Sequence, residues 1–195
     1  MKNRVITISR EFGSGGRTIG KETAKKLGIP CYDQELIERA AQESGFAKEY
    51  IAREGEYTGG GKWFSNAYAG IGSNYKMSNQ DQLWLIQRKM ILDIAEKESC
   101  VIVGRCADYI LKDAADCLKV FIHADMEKRA ERIVKIYGES DAAPEKRLKE
   151  KDKRRSAYYR FYTEMEWGQA KNYHLCLDSG ALGIETCASI LVGLY

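Results

Sequence analysis

Four short apolar runs punctuate the chain: Val5-Ile-Thr-Ile8, Cys100-Val-Ile-Val-Gly-Arg105, Leu118-Lys-Val-Phe-Ile122 and Tyr173-His-Leu-Cys-Leu-Asp178. Rich in β-branched residues and lacking strict polar alternation, they read as strands buried on both faces. Between them the apolar positions change to helical spacing. Ile19, Thr23 and Leu27 share one helix side, as do Leu36, Ile37, Ala40 and Ala41. Leu83, Ile86, Met90, Ile91 and Ile94 form a third stripe, Met126, Ala130, Ile133, Val134 and Tyr137 a fourth, and Ile184, Cys187, Ala188 and Leu191 the last. Gly28-Ile-Pro-Cys-Tyr-Asp33 reads as a helix stop, a proline and a very short strand at Tyr32. The alternation predicts an α/β fold of about five parallel strands, with helices on both faces. Ligands of such sheets bind beyond the carboxyl ends of the strands. That rule sets the Gly13 to Gly16 loop, Asp33, Arg105 and Asp178 along one edge.

The first strand runs into Gly13, Ser14, Gly15 and Gly16, and then into the first helix. Small residues let backbone N–H groups turn toward a guest, and the helix adds its unpaired N–H groups and positive dipole end. Phosphate is the natural guest. The match to the Walker pattern G-x-x-x-x-G-K-[ST] is incomplete. With Arg17 in the lysine place, Gly16 and Thr18 fit on either side, but Glu11 replaces the first glycine. Sliding by one sets Arg10 on the first glycine, Gly15 on the last and Gly16 in the lysine place. The first register is preferred, because it keeps a cation beside the phosphates and a hydroxyl within reach of Mg2+.

At 195 residues the chain suits a single domain, residues 1–195. Residues 46–79, with Gly59-Gly60-Gly61 and the aromatics Trp63, Phe64, Tyr68 and Tyr75, form the least regular part and read as an insert. Its aromatics either pack back on the core or cover a ligand. A net charge of +3 gives no sign of general affinity for nucleic acid or membrane, so any basic site is local. The N-terminus leads directly into the first strand, and no apolar run approaches the roughly 20 residues of a membrane helix. A cytoplasmic protein is expected. The six cysteines include no C-x-x-C pair and read as small core residues.

Pro144 fits the first turn of a helix, and the residues behind it are dense in cations and then in tyrosines. Apolar residues before Ala157 are too few to bury a helix face, so this first half is expected to be exposed and able to move. Three readings stand side by side. The segment is a solvated, salt-bridged helix; or a single-stranded RNA site with arginines on phosphates and tyrosines on bases; or a lid whose arginines close on a transferring phosphoryl group.

Four segments in order resemble the P-loop nucleoside monophosphate kinases, and most closely the cytidylate kinase-like family. They are Ile8 to Thr18, Tyr32-Asp-Gln-Glu-Leu-Ile-Glu-Arg39, Val101-Ile-Val-Gly-Arg-Cys-Ala-Asp108, and Asp152-Lys-Arg-Arg-Ser-Ala-Tyr-Tyr159 with Trp167-Gly168 and Leu175 to Gly180 behind it. The resemblance implies a three-layer P-loop NTPase fold with a helical substrate-side insert at 46–79 and a helical lid at 138–165. It implies ATP and Mg2+, with Gly13, Ser14, Gly15, Gly16, Arg17 and Thr18 on the donor triphosphate and Thr18 on the metal. Arg129 and Arg132 resemble the arginines leading into the lid, near the donor base. Asp33, Arg39, Arg105 and Asp152 are the substrate-side residues the resemblance implies: Asp33 and Arg39 begin the monophosphate-binding helix, and Arg39 and Arg105 grip the acceptor phosphate. Asp152, Arg154 and Arg155 resemble the lid cluster, with Arg17, Arg105, Arg154 and Arg155 as catalytic cations.

Against cytidylate kinase proper the chain lacks the Walker lysine, carries Cys106 where an aspartate follows the matched Gly104-Arg105, and has Ser9 in place of an acidic residue. The expected activity is phosphoryl transfer from ATP to a nucleoside monophosphate, CMP first. Alternatives are a kinase of another small molecule, with Asp33 or Glu35 as base, and a nucleotide-binding regulator.

Overall fold

The computed structural model describes residues 3–33 and 79–195. The predicted helix after Asp33, the insert at 46–79 and Arg39 therefore lie outside the described residues. The elements are β1 (Arg4–Arg10), α1 (Gly16–Leu27), β2 (Cys31–Tyr32), α2 (Asn79–Lys97), β3 (Cys100–Val103), α3 (Ala107–Ile110), β4 (Asp116–His123), α4 (Met126–Tyr137), α5 (Pro144–Thr163), β5 (Leu175–Asp178), α6 (Ser179–Leu182) and α7 (Ile184–Gly193).

The five strands lie in the order β2-β3-β1-β4-β5, and every pairing is parallel. β1 is central, with Val5 paired to Cys100 on one side and Cys117 on the other. Pleat alternation then divides the core. Val5, Cys100 and Ile102 face Met90, Ile91 and Ile94 of α2. Ile6, Ile8, Val101 and Val103 face Ile19 of α1 and Cys187, Ala188 and Leu191 of α7. Continuous apolar runs are the signature of strands covered twice. Strands of one direction bring the ends of β1, β2, β3, β4 and β5 to one edge, where Glu11, Asp33, Gly104, Ala124 and Ser179 follow them.

Two short helices, α3 and α6, carry too few residues for a periodicity to show in the sequence. The larger difference concerns α5. Much of its first half is exposed, as expected, but one face is anchored: Leu148 is fully buried with Ala130 and Ile133 of α4, and Phe12 packs on the same cluster. Asp152, Arg155 and Tyr159 follow Leu148 at helical spacing and tie to Phe12, Arg10 and Asp108 respectively. Polar anchors replace apolar ones along this face, so a count of apolar residues underestimates its attachment.

Candidate active site

β1 delivers the chain to the sheet edge at Arg10, and α1 carries it away again from Gly16. Gly13 and Gly15 adopt φ of +82° and +80°, backbone states that L side chains rarely take. Space forbids a side chain as well, since a Cβ on Gly13 would lie 2.9 Å from the Arg129 carbonyl oxygen and one on Gly16 2.5 Å from Arg10 Cβ. The Ser14 hydroxyl donates to the Glu11 carbonyl at 2.9 Å, and Ser179 donates to the Ser14 carbonyl, fixing the loop from the start of α6. Among the described residues no side chain caps α1 and no acid stands in its first turn. The Ile19 N–H donates to the Gly15 carbonyl at 2.9 Å, so the helix begins directly at the glycine loop and aims its positive end there.

The loop opens into a cleft of about 970 Å³. Arg10, Arg17, Lys21, Arg105, Arg132, Arg147, Lys151 and Arg155 line it, against the carboxylates of Glu11, Glu22 and Asp33. This surplus of five positive charges exceeds the +3 of the entire chain. A cleft of one sign concentrates ions of the other and stabilises charge that develops within it. Ile133, Ile136 and Tyr137 of α4 add apolar surface to the lining, and Tyr137 stacks on Phe12 with ring centroids 5.8 Å apart.

The cations of the cleft have distinct partners. Arg17 Nε lies 2.7 Å from the Asp33 carboxylate, and Arg10 lies 3.9 Å from the same group. Arg132 donates to the Thr18 hydroxyl at 3.0 Å. Arg155 donates to the Arg10 carbonyl at 3.2 Å, its guanidinium 5.5 Å from the Phe12 ring centre. Arg105 belongs to a turn of three successive left-handed residues, Gly104, Arg105 and Cys106, with φ of +81°, +60° and +55°. Such a conformation costs a non-glycine residue on the order of 1–3 kcal/mol. Here the turn is closed by the Gly104 N–H on Ile8 and the Ile110 N–H on Cys106, both at 3.0 Å, and it carries Arg105 to the cleft wall.

Beside the cleft, a smaller cavity of about 40 Å³ shares Arg10, Arg105 and Arg155 with it. Ser9, Gly104, Cys106, Tyr158, Tyr159 and Trp167 complete the lining. Asp108, 3% exposed, accepts from the Tyr159 phenol at 2.7 Å and from Ser9 at 3.4 Å. Burial raises the Asp108 carboxyl above its ordinary value, against the opposing effect of the Tyr159 hydrogen bond. The Tyr159 phenol and the Cys106 thiol are likewise pushed up by burial.

Of the residues singled out in the sequence, the cleft gathers Gly13, Gly15, Gly16, Arg17, Thr18, Asp33, Arg105, Arg132 and Arg155. Ser14 lies under the loop, 2% exposed. Arg154 is not among the described residues lining the cleft. Arg129 and Asp152 stand behind the loop as an ion pair: Arg129 Nη1 is 2.5 Å from the Asp152 carboxylate, and Arg129 Nε is 3.4 Å from Glu11. Burial raises the Glu11 carboxyl, while the Ala124 N–H and Arg129 act in the opposite sense. The sequence reading missed Arg10, Lys21, Arg147 and Lys151. A signal existed for two of them, because Arg147, Lys151 and Arg155 recur at intervals of four and so share a helix face.

Among the described residues no group of three or more His, Cys, Asp or Glu side chains could hold a metal ion. A cation carried in by a bound polyphosphate is a different matter. The tight glycine cradle and uncapped α1 fit a polyphosphate, and the Thr18 hydroxyl lies at their rim. No helix among the described residues is long and apolar enough to cross a membrane.

Strand order, glycine loop and cation-lined cleft define a class, the P-loop kinases, which are phosphotransferases. The chain belongs to the cytidylate kinase-like family, whose model matches residues 5–181. It is 30% identical over 191 residues to a cytidylate kinase of Archaeoglobus fulgidus, covering 96% of this chain and 92% of that one. A solved structure of a protein from Eubacterium ventriosum is 27% identical, with a TM-score of 0.74 and 98% of each chain covered. The shikimate kinase of Bacteroides thetaiotaomicron shares the fold at 16% identity, with a TM-score of 0.56 over 97% of each chain. The protein is a nucleotide-dependent kinase.

Proposed function

We propose that the protein transfers the γ-phosphoryl group of ATP, taken as its magnesium complex, to the phosphate of a nucleoside monophosphate, with CMP the first acceptor to test. The observation that carries this reading is the convergence of cations from β1, α1, the turn after β3, α4 and α5 on one glycine loop. CMP is named because the relative from Archaeoglobus fulgidus is a cytidylate kinase.

In this reading residues 13–18 cradle the donor polyphosphate with backbone N–H groups, and Arg132 and Arg155 approach it from α4 and α5. Arg105 takes the acceptor phosphate, the planar guanidinium matching two oxygens at once. Asp33 holds Arg17 beside the path between donor and acceptor, and Arg39, outside the described residues, belongs to the acceptor side by resemblance. No covalent intermediate and no general base is required, since a phosphate acceptor is already ionised near neutral pH. The chain aligns the two anions and neutralises the charge of the transferring group. The Thr18 hydroxyl would be the chain's contact to a magnesium ion carried by the donor, which would supply further charge neutralisation.

The test is coupled-assay turnover with ATP and a panel of monophosphates, in wild type and in Arg105→Ala. Turnover of at least one monophosphate is expected, falling roughly 10²–10³-fold in the variant. ATP binding without turnover of any monophosphate would overturn the kinase assignment to this acceptor class and point to a nucleotide-binding regulator.

A further inference from the structure

We propose that Asp152 is a positioning residue for phosphoryl transfer: together with Arg129 it clamps both backbone groups of Phe12, presetting the phosphate loop for the donor. The inference rests on the reading of the cleft as an ATP site and deepens it.

Phe12 immediately precedes Gly13. Its N–H donates to Asp152 Oδ1 at 2.7 Å, and its carbonyl accepts from Arg129 Nη1 at 3.3 Å. The clamp's two halves are bonded to each other, with Arg129 Nη1 2.5 Å from Asp152 Oδ2. Arg129 is 6% exposed and also pairs with Glu11, whose carboxylate accepts the Ala124 N–H at 3.2 Å. The two peptide units flanking Phe12 are thus oriented by charged groups on α4 and α5, neither of which belongs to the loop.

Such a clamp matters because the glycine loop begins at the very next residue. Gly13 and Gly15 have little conformational preference of their own, and both stand at positive φ. A loop of that composition, left to itself, samples many states, and a ligand that needs one of them bears the ordering cost on binding. Charge-assisted bonds to both sides of Phe12 remove that freedom beforehand. Rotating the Phe12 peptide would re-aim the Gly13 N–H, the first glycine N–H of the cradle. Asp152 does not line the cleft, so it acts through Phe12 and not on a substrate atom. The same face of α5 carries Arg155 to the Arg10 carbonyl, so loop shape and cation delivery come from one helix.

The experiment compares wild type with Asp152→Ala, Asp152→Asn and Arg129→Met. It uses calorimetric ATP binding, steady-state KM for ATP and for the acceptor, and thermal unfolding. Asp152→Ala is expected to weaken ATP about tenfold, the scale of one lost charge-assisted hydrogen bond. The KM for ATP should rise with it, and the acceptor KM should stay within about twofold, since the clamp touches only the donor loop. Asp152→Asn should fall between, its amide oxygen still accepting from Phe12, and the double variant with Arg129→Met should lose no more than the worse single one. Unchanged ATP affinity in Asp152→Asn and Asp152→Ala would overturn the proposal. So would equal rises in both KM values accompanied by a lower Tm, which mark general destabilisation. If Asp152→Ala fails to fold, the near-isosteric Asp152→Asn decides alone. Should wild type bind ATP yet turn over no monophosphate, the assignment of the acceptor fails, while the ATP affinities of the variants still decide the role of Asp152.

Discussion

The Tyr159 phenol donates to the Asp108 carboxylate at 2.7 Å, joining α5 to the short helix behind the left-handed turn that presents Arg105. Ser9, at the end of β1, donates to the other carboxylate oxygen at 3.4 Å. One buried acid therefore links the sheet edge, the Arg105 turn and the arginine-bearing helix.

That acid should leave a mark on the pH dependence of stability. Burial raises the Asp108 carboxyl in the folded protein, so the folded state holds the proton more tightly than the unfolded chain does. Its favourable contribution is full below the ordinary aspartate value of about 4 and is lost as pH rises through the raised folded value. Asp108→Asn removes the titration and keeps an acceptor for Tyr159. Thermal unfolding from acid to neutral pH should show wild type losing stability relative to the variant as pH rises. A pH-independent difference between them would refute the assignment.

Gly16→Ala should abolish ATP binding while leaving the sheet intact. The added Cβ would stand 2.5 Å from the Arg10 Cβ, a methylene bonded directly to the backbone that cannot swing away. The start of α1 or the end of β1 must shift, and either shift spoils the cradle. Calorimetry would read the loss, and far-UV circular dichroism the preserved fold; wild-type affinity in Gly16→Ala would show that the loop is not the donor site.

Leu148→Ala tests how α5 is held. Leu148 is fully buried on Ala130 and Ile133, so truncation should cost about 2–5 kcal/mol at this anchor. Hydrogen exchange is expected to quicken in the first half of α5 first, before the end that carries Tyr158 and Tyr159. Uniform exchange along the helix would mean that Leu148 does not anchor it separately.

Much of the architecture was legible along the chain. β1, β3 and β4 each hold an apolar run, broken only by Thr7 in the first and Lys119 in the last, and a run of that kind has few stable fates besides a strand covered on both faces. The loop was legible too, because four small residues between a strand and a helix have a restricted geometric meaning. Arg105 could be placed at the edge from its position just after β3.

Other parts depended on contacts between residues far apart in sequence. Arg129 and Asp152 carry the same charges whether they face a nucleotide or each other, and only the packing of α4 against α5 decides that they meet behind Phe12. Arg154 and Arg155 are adjacent, yet helical rotation separates them by about 100°, and the fold turns Arg155 to the cleft. Hydrophobic spacing could not reveal the anchored face of α5, since Asp152, Arg155 and Tyr159 bury by hydrogen bonding.

By itself the sequence determined the alternation of strands and helices, the glycine turn and the edge on which it lies, because these follow from local backbone preference and from which side chains water rejects. Tertiary structure alone decided which cations reach the cleft and which are spent holding the loop. A charge takes its role from the partner that folding brings within about 3 Å of it, the span of a hydrogen bond, and no local pattern records that distance.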